Sequence, residues 1–202
     1  MGSWFSSSRC DVFISFRGED TRDTFTSHLY YALTRKKITT YMDDKLKKGD
    51  EISPTLTKAI KRAKLSVIVF SENYASSSWC LDELVQILKC KEKKGQIVVP
   101  IFYRVDPSDV RKQKGSYTIT SEGFKGQKRR VDKWRKALNK AANLSGWDSR
   151  GMRPESKLIE EIVKDVRKKL EVLHQQTTAA ASMAAVIAAT TAAGASTTAA
   201  SC

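Results

Sequence analysis

Trp79 and Glu83 lie one helical turn apart, which sets an aromatic ring beside a carboxylate on one side of a predicted helix. Ser76-Ser77-Ser78 offers hydroxyl N-caps for a helix predicted from about Trp79 to Lys93. At about 100° per residue, Leu81, Leu84, Val85 and Leu88 fall about 190° from Trp79 and read as the core stripe. Trp79 and Glu83 are then expected on the opposite side, clear of the core. Two readings of that pair stand. In one, Trp79 packs on a neighbouring loop, and Glu83 with Asp82 answers the helix dipole in the first turn. In the other, the carboxylate faces a cleft and works there.

Other chemistries fit the sequence worse. No G-x-x-x-x-G-K-[ST] run is present, and no G-x-G-x-x-G follows the first strand. A phosphorelay receiver would need an acidic pair after its first strand and an aspartate after its third. Here those places hold Ser15-Phe16-Arg17-Gly18 and Ser71-Glu72-Asn73, while Asp43-Asp44 follow the second strand. The two histidines, His28 and His174, are far apart with no matched nucleophile, so a Ser/His/Asp or Cys/His site is not expected. The four cysteines match neither zinc-site nor C-x-x-C spacing, so no metal is expected and the thiols read as reduced.

The elements that must position Trp79 and Glu83 alternate. Val12-Phe13-Ile14 reads as a buried strand, Thr24–Arg35 as a helix, and Thr39–Met42 as a strand. Asp43–Asp50 reads as a loop, Ile52–Ala63 as a helix with Pro54 in its first turn, and Leu65–Phe70 as the clearest strand. Ile97–Phe102 is a further strand, in which Pro100 argues for a strand end or a sheet edge. Asp106-Pro107-Ser108-Asp109 is a turn or helix entry, Val131–Asn143 a helix, Leu144–Asp148 a last short strand, and Glu155–Leu173 an amphipathic helix. Alternation of this kind implies right-handed crossovers and a parallel sheet covered on both faces. Ligands bind such sheets at the carboxyl ends of the strands. That places the working loops at Phe16–Asp20, Asp43–Asp50, Ser71–Ser78 and Tyr103–Asp109.

Length and composition divide the chain into a flexible N-terminus (1–9), one α/β domain (10–173) and an Ala/Ser/Thr-rich low-complexity tail (174–202). The net charge of +14 lies upstream of the tail, which is uncharged after His174. Its basic residues are spread over several runs without interleaved aromatic rings. They read as solvated helix faces, and nucleic acid is an unfavoured though open partner class. The tail has almost no Leu, Ile or Phe, so it reads as disordered or partly helical rather than as a membrane span. The start lacks the apolar run of a secretory signal. Gly2 and Ser6 fit the short N-myristoylation pattern, a weak signal. Location in the cytoplasm is expected, with the nucleus also open.

Four segments in order carry a family resemblance. They are Asp11-Val-Phe-Ile-Ser-Phe-Arg-Gly-Glu-Asp-Thr-Arg22, Ser71-Glu-Asn-Tyr-Ala-Ser-Ser-Ser-Trp-Cys-Leu-Asp-Glu-Leu84, Pro100-Ile-Phe-Tyr-Arg-Val-Asp-Pro-Ser-Asp-Val110 and Ala141-Ala-Asn-Leu-Ser-Gly-Trp-Asp148. Together they resemble the plant TIR (Toll/interleukin-1 receptor) domain, over Cys10 to about Leu173. The resemblance implies a flavodoxin-like three-layer α/β fold with a five-stranded parallel sheet and helices on both faces. It also implies a TIR-only protein or a truncated TIR-type disease-resistance protein.

The same resemblance implies an NAD+ glycohydrolase in plant innate immunity, with Glu83 as the catalytic residue. NAD+ or NADP+ would be the substrate, and no cofactor is implied. Phe16, Arg17, Gly18, Ser77 and Trp79 match positions lining the family's substrate cleft, and Asp43–Glu51 matches a loop beside it. Ser27 and His28 match a self-association contact, so a homo-oligomer through TIR–TIR contacts is implied, with TIR domains of immune receptors as further partners. The alternative is a non-enzymatic adaptor that recruits or regulates full-length TIR-type receptors.

Overall fold

The computed structural model describes residues 10–42, 54–120, 123–124 and 127–196, with side chains as far as residue 184. The N-terminal glycine, the loop expected at Asp43–Glu51 and the start of the helix expected from Ile52 lie outside the described residues. The chain falls into two compact units, Met1–Val166 and Arg167–Cys202.

The first unit is built on five parallel strands: β1 (Val12–Phe16), β2 (Thr40–Met42), β3 (Leu65–Phe70), β4 (Ile97–Phe102) and β5 (Trp147–Asp148), in the order β2-β1-β3-β4-β5. The helices between them are α1 (Gly18–Thr21), α2 (Ser27–Arg35), α3 (Pro54–Arg62), α4 (Ser78–Lys94), α5 (Pro107–Lys112) and α6 (Lys128–Ala142), and α7 (Glu155–Ser196) follows β5. This is the parallel sheet expected from the alternation, in the flavodoxin-like arrangement that the family resemblance implies. The central strands β1 and β3 are buried along their whole length, as an apolar run covered on both faces must be. Val12 of β1 stands opposite Leu65 of β3, and Phe16 opposite Val69, so both strands end at the same edge of the sheet.

Three local outcomes differ from the sequence reading. The helix expected from Thr24 becomes regular only at Ser27. Thr24 is non-helical (φ −127°, ψ −111°), and the Thr21 and Thr26 hydroxyls pair at 2.8 Å across the distorted turn. β-Branched residues with hydroxyls that bond locally disfavour a regular helix here. Second, Pro100 sits inside β4, opposite Ile68, rather than at its end, while the edge alternative holds locally, since β5 pairs only with Ile101 and Phe102. The Pro100 carbonyl oxygen lies 2.3 Å from where a Cβ on Gly146 would stand, so that side of Pro100 faces the chain just before β5 begins. The missing N–H therefore costs no ladder bond, and only glycine fits at position 146. Third, α7 runs past Leu173 to Ser196. Alanine has the strongest helix preference of any residue, and the Thr177 and Thr178 hydroxyls fold back on the carbonyls of Leu173 (2.8 Å) and His174 (3.1 Å). Among the described residues no helix is long and apolar enough to cross a membrane.

Candidate functional site

The carboxyl end of β1 and the first turns of α4 meet, and most of the expected site residues gather there. Ser77 is the N-cap of α4. Its Oγ accepts from the Cys80 backbone N–H at 3.4 Å, which satisfies one of the donors a helix start leaves open. The neighbouring Ser76 hydroxyl is spent on the Asn73 carbonyl at 2.7 Å. The Cys80 thiol donates to the Phe16 carbonyl at 3.5 Å, which ties α4 to the last residue of β1. Gly95 closes the other end of α4 in the left-handed region (φ +68°).

Glu83 does not stand clear of the core. It is 3% exposed, and its Oε2 accepts from the Ser15 hydroxyl at 2.7 Å. Ser15 Oγ also lies 2.9 Å from the Tyr74 hydroxyl, which donates to the Cys80 carbonyl at 3.0 Å. The expected core stripe was rotated because it counted Leu81, Leu84, Val85 and Leu88 only. The buried face of α4 also includes Cys80, Ile87 and Cys90, while Val85 is only partly buried. These positions move its centre to about 120° from Trp79, and Glu83, at about 40°, falls inside the arc that runs from Cys90 to Leu81. Trp79 itself is half-buried at the edge of that arc.

A buried carboxyl requires hydrogen-bond partners, and Ser15 and Tyr74 are the ones the sequence reading missed. Ser15 was legible as the one hydroxyl inside the apolar β1 run; Tyr74 had no signal beyond its place in the Ser71–Ser78 loop. Burial raises the Tyr74 hydroxyl well above its usual range, and the Cys80 and Glu83 charges push in the same direction. The Cys80 thiol is pushed up to about 12, first by burial and then by the Glu83 charge. Both groups are therefore protonated around neutral pH. Asp20 is a further missed residue. Its carboxylate accepts from the Ser71 hydroxyl (2.5 Å), the Asn73 backbone N–H (2.8 Å) and the Asn73 side chain (3.1 Å), and so fastens the loop after β3 to α1, the helical turn after β1.

Arg17 follows β1 directly. One guanidinium nitrogen donates to Glu19 at 2.6 Å, while its Nε is a buried donor without a partner. Its charge is felt at the Cys80 thiol, the same thiol that feels Glu83. Arg22 lies over the Phe16 ring at 5.1 Å and against Gly18, where a Cβ would stand 2.8 Å from its guanidinium. Phe16, Arg17, Gly18, Ser77, Cys80 and Glu83 thus form one group. Ser27 and His28 lie apart from it on α2: the Ser27 hydroxyl donates to the Thr24 carbonyl at 2.8 Å, and His28 is exposed. Among the described residues no cluster of His, Cys, Asp and Glu could hold a metal ion.

The sequence profile of the TIR domain matches residues 10–186. The chain belongs to the TIR domain family. A TIR domain of the activated Roq1 resistosome, in a structure recognizing the pathogen effector XopQ, has 54% sequence identity and a TM-score of 0.71, over 77% of this chain and 98% of that one. The RPS4 and RRS1 TIR domain heterodimer matches at 30% identity and a TM-score of 0.51, over 78% of this chain and 96% of that one. Disease resistance protein RPV1 of Vitis rotundifolia is 54% identical over 162 residues, which are 80% of this chain and 12% of that protein. TMV resistance protein N of Nicotiana glutinosa is 49% identical over 177 residues, 84% of this chain and 16% of that protein. The chain thus spans about an eighth to a sixth of the length of these relatives.

Proposed function

We propose that this TIR domain is an NAD+ glycohydrolase of plant innate-immune signalling, active when copies of the domain associate, with Glu83 as the catalytic residue. The observation that carries the reading is that an unsatisfied buried donor, Arg17 Nε, and a buried carboxyl, Glu83, both belong to the group at the carboxyl end of a parallel sheet. An orphaned guanidinium donor suits a pyrophosphate or a ribose hydroxyl. The carboxylate suits the positive charge that develops on the ribose.

In the reaction the bond between nicotinamide and C1′ of ribose breaks, and its electron pair goes to the pyridinium nitrogen. Nicotinamide leaves neutral, so no general acid is required. The ribosyl cation is stabilised by the Glu83 carboxylate, as by one member of a glycosidase pair. Water adds at C1′ and gives up a proton, leaving ADP-ribose. Phe16, Gly18, Ser77 and Trp79 would line the dinucleotide, and NADP+ would be accepted by the same chemistry. Assembly would use α2, where Ser27 and His28 lie. The resistosome and heterodimer structures among the matches support TIR–TIR association.

Nicotinamide release by purified protein at several concentrations tests this. Release should rise more steeply than protein concentration and vanish in Glu83→Ala with the fold intact by circular dichroism. Equal turnover by Glu83→Ala refutes the assigned role. The heterodimer among the matches favours one second reading, an adaptor that recruits other TIR domains. Wild-type protein that binds a receptor TIR domain yet releases no nicotinamide at any concentration would establish it.

A further inference from the structure

The hydroxyls packed behind Glu83 form a chain that can be counted proton by proton. Tyr74 Oη reaches the Cys80 carbonyl at 3.0 Å, Ser15 Oγ lies 2.9 Å from Tyr74 Oη, and Glu83 Oε2 lies 2.7 Å from Ser15 Oγ. A carbonyl oxygen only accepts. The Tyr74 proton is therefore spent on Cys80, and the single Ser15 proton serves either Tyr74 or Glu83. Each of the three contacts needs its own proton, and the two hydroxyls supply one each. The chain is complete only when Glu83 brings the missing proton and donates to Ser15.

We propose that Ser15 and Tyr74 are positioning residues that couple the Glu83 carboxyl to this hydroxyl chain, giving it two hydrogen-bonded states. With its proton, Glu83 donates to Ser15, Ser15 to Tyr74 and Tyr74 to Cys80. When Glu83 ionises, the proton leaves to solvent, the Ser15 hydroxyl turns to the carboxylate, and the Ser15–Tyr74 contact loses its proton. Ser15 thus favours the ionised form, and Tyr74 the protonated one.

The catalytic consequence rests on the proposed function, since the ionised form is the one that can stabilise a ribosyl cation. Ser15, Tyr74 and Cys80 are all buried. Burial holds the proton on Tyr74, so this member of the chain does not titrate over the working range. Among the described residues, Arg17 and Asp20 are charged groups that act on the Cys80 thiol beside Glu83. From α6, Arg130 is engaged with Asp82 and Lys140 with Glu92, while Lys58 and Lys61 of α3 are exposed. Glu83 makes a further interaction besides the one with Ser15.

The test compares wild type with Ser15→Ala and Tyr74→Phe by two readouts. The first is an infrared pH titration of the protonated-carboxyl band on the folded protein, assigned by its loss in Glu83→Gln. The second is the pH profile of nicotinamide release. Ser15→Ala loses the donor to the carboxylate, so its midpoint should move to higher pH, with release at the acid end falling about threefold or more. Tyr74→Phe removes the competitor for the Ser15 proton, so its midpoint should move to lower pH. A loss of packing would not move the two midpoints in opposite directions. Midpoints that move the same way, or stay put in folded variants, overturn the chain. Should Tyr74→Phe fail to fold, an unmoved midpoint in Ser15→Ala is enough to overturn it. If the band behaves as stated but wild type releases no nicotinamide, the hydroxyl chain stands and the glycohydrolase reading falls. If release depends on Glu83 while the midpoints are unmoved, the reverse holds.

Discussion

Asp20→Ala should loosen the site where α1 is fastened to the loop after β3. The Asp20 carboxylate accepts from Ser71 Oγ, Asn73 N and Asn73 Nδ2 at 2.5, 2.8 and 3.1 Å. Hydrogen bonds to a charged acceptor contribute about 1.5–3 kcal/mol each where they are buried. Ser71 is buried, but Asn73 is exposed, so water can replace its two bonds when the carboxylate is removed. The Ser71 bond then dominates, and the whole loss comes to about 2–3 kcal/mol. For a domain of this size that lowers Tm by about 4–12 °C. Asp20→Asn keeps one accepting oxygen but turns an amide NH2 toward donors, so it should lose an intermediate amount. The Asn73 link leads directly into Tyr74 and the Ser77 cap. Asp20→Ala should therefore also lower nicotinamide release more than its stability loss explains at temperatures where it remains folded. Urea unfolding, with release measured on the same samples, provides the assay. A stability within about 0.5 kcal/mol of wild type, the range of ordinary surface substitutions, would refute the claim that this carboxylate holds α1 and that loop together.

The parts of the fold written in residue type were legible, and the parts written in long-range contact were not. Leu65–Phe70 is β-branched or apolar nearly throughout and emerges as β3 with the expected bounds. The N-cap of α4 was legible to within one residue, because serine hydroxyls compete for that position on local geometry alone. The side of α4 that turns inward was not. Helical periodicity gives a stripe, but its centre depends on whether Cys80, Ile87 and Cys90 are counted with the leucines, and on how the sheet lies across the helix. A glutamate at the margin of that stripe is read as exposed unless a partner is foreseen. Its partner is Ser15, distant in sequence and hidden in a strand whose polar residue looks like a minor interruption. The same holds for Asp20, whose acceptors' donors lie beyond β3, and for Gly146, which is required only because the Pro100 carbonyl passes beneath it. The local signals thus bring the candidate residues to the carboxyl end of β1 and the start of α4. The contacts that fix the state of its carboxyl come from pairing β1 with α4, which periodicity along one segment does not record.

Two further predictions concern groups outside the Ser15–Tyr74–Glu83 cluster. The buried Gln96 amide, just before β4, donates to the carbonyls of Ile60 (2.8 Å) and Ala63 (2.7 Å), and so caps the end of α3. Gln96→Leu leaves both acceptors dry and should cost about 2–4 kcal/mol in urea unfolding; a loss below about 0.5 kcal/mol would show that water or the backbone replaces the amide. The second prediction concerns pH. The Asp106 carboxyl is held down to about 2 from an ordinary 3.8, first by the Ser108 backbone N–H that it caps and then by Arg150. Its folded value lies below its unfolded one, so its stabilisation is present in full above the unfolded value. It is lost as pH falls from about 4 toward 2. Asp106→Asn lacks that titration and should melt below wild type at neutral pH. Both proteins then lose stability as other carboxyls protonate, but wild type loses more, and the two melting temperatures converge as pH approaches 2. Arg150 also binds Asp148 at 2.7 Å, so it stays paired when Asp106 is neutralised, and the convergence reports Asp106 rather than a released arginine. A gap in melting temperature that stays constant from neutral pH down to about 2 would mean that the Ser108 and Arg150 contacts do not distinguish the charged carboxyl from the neutral amide.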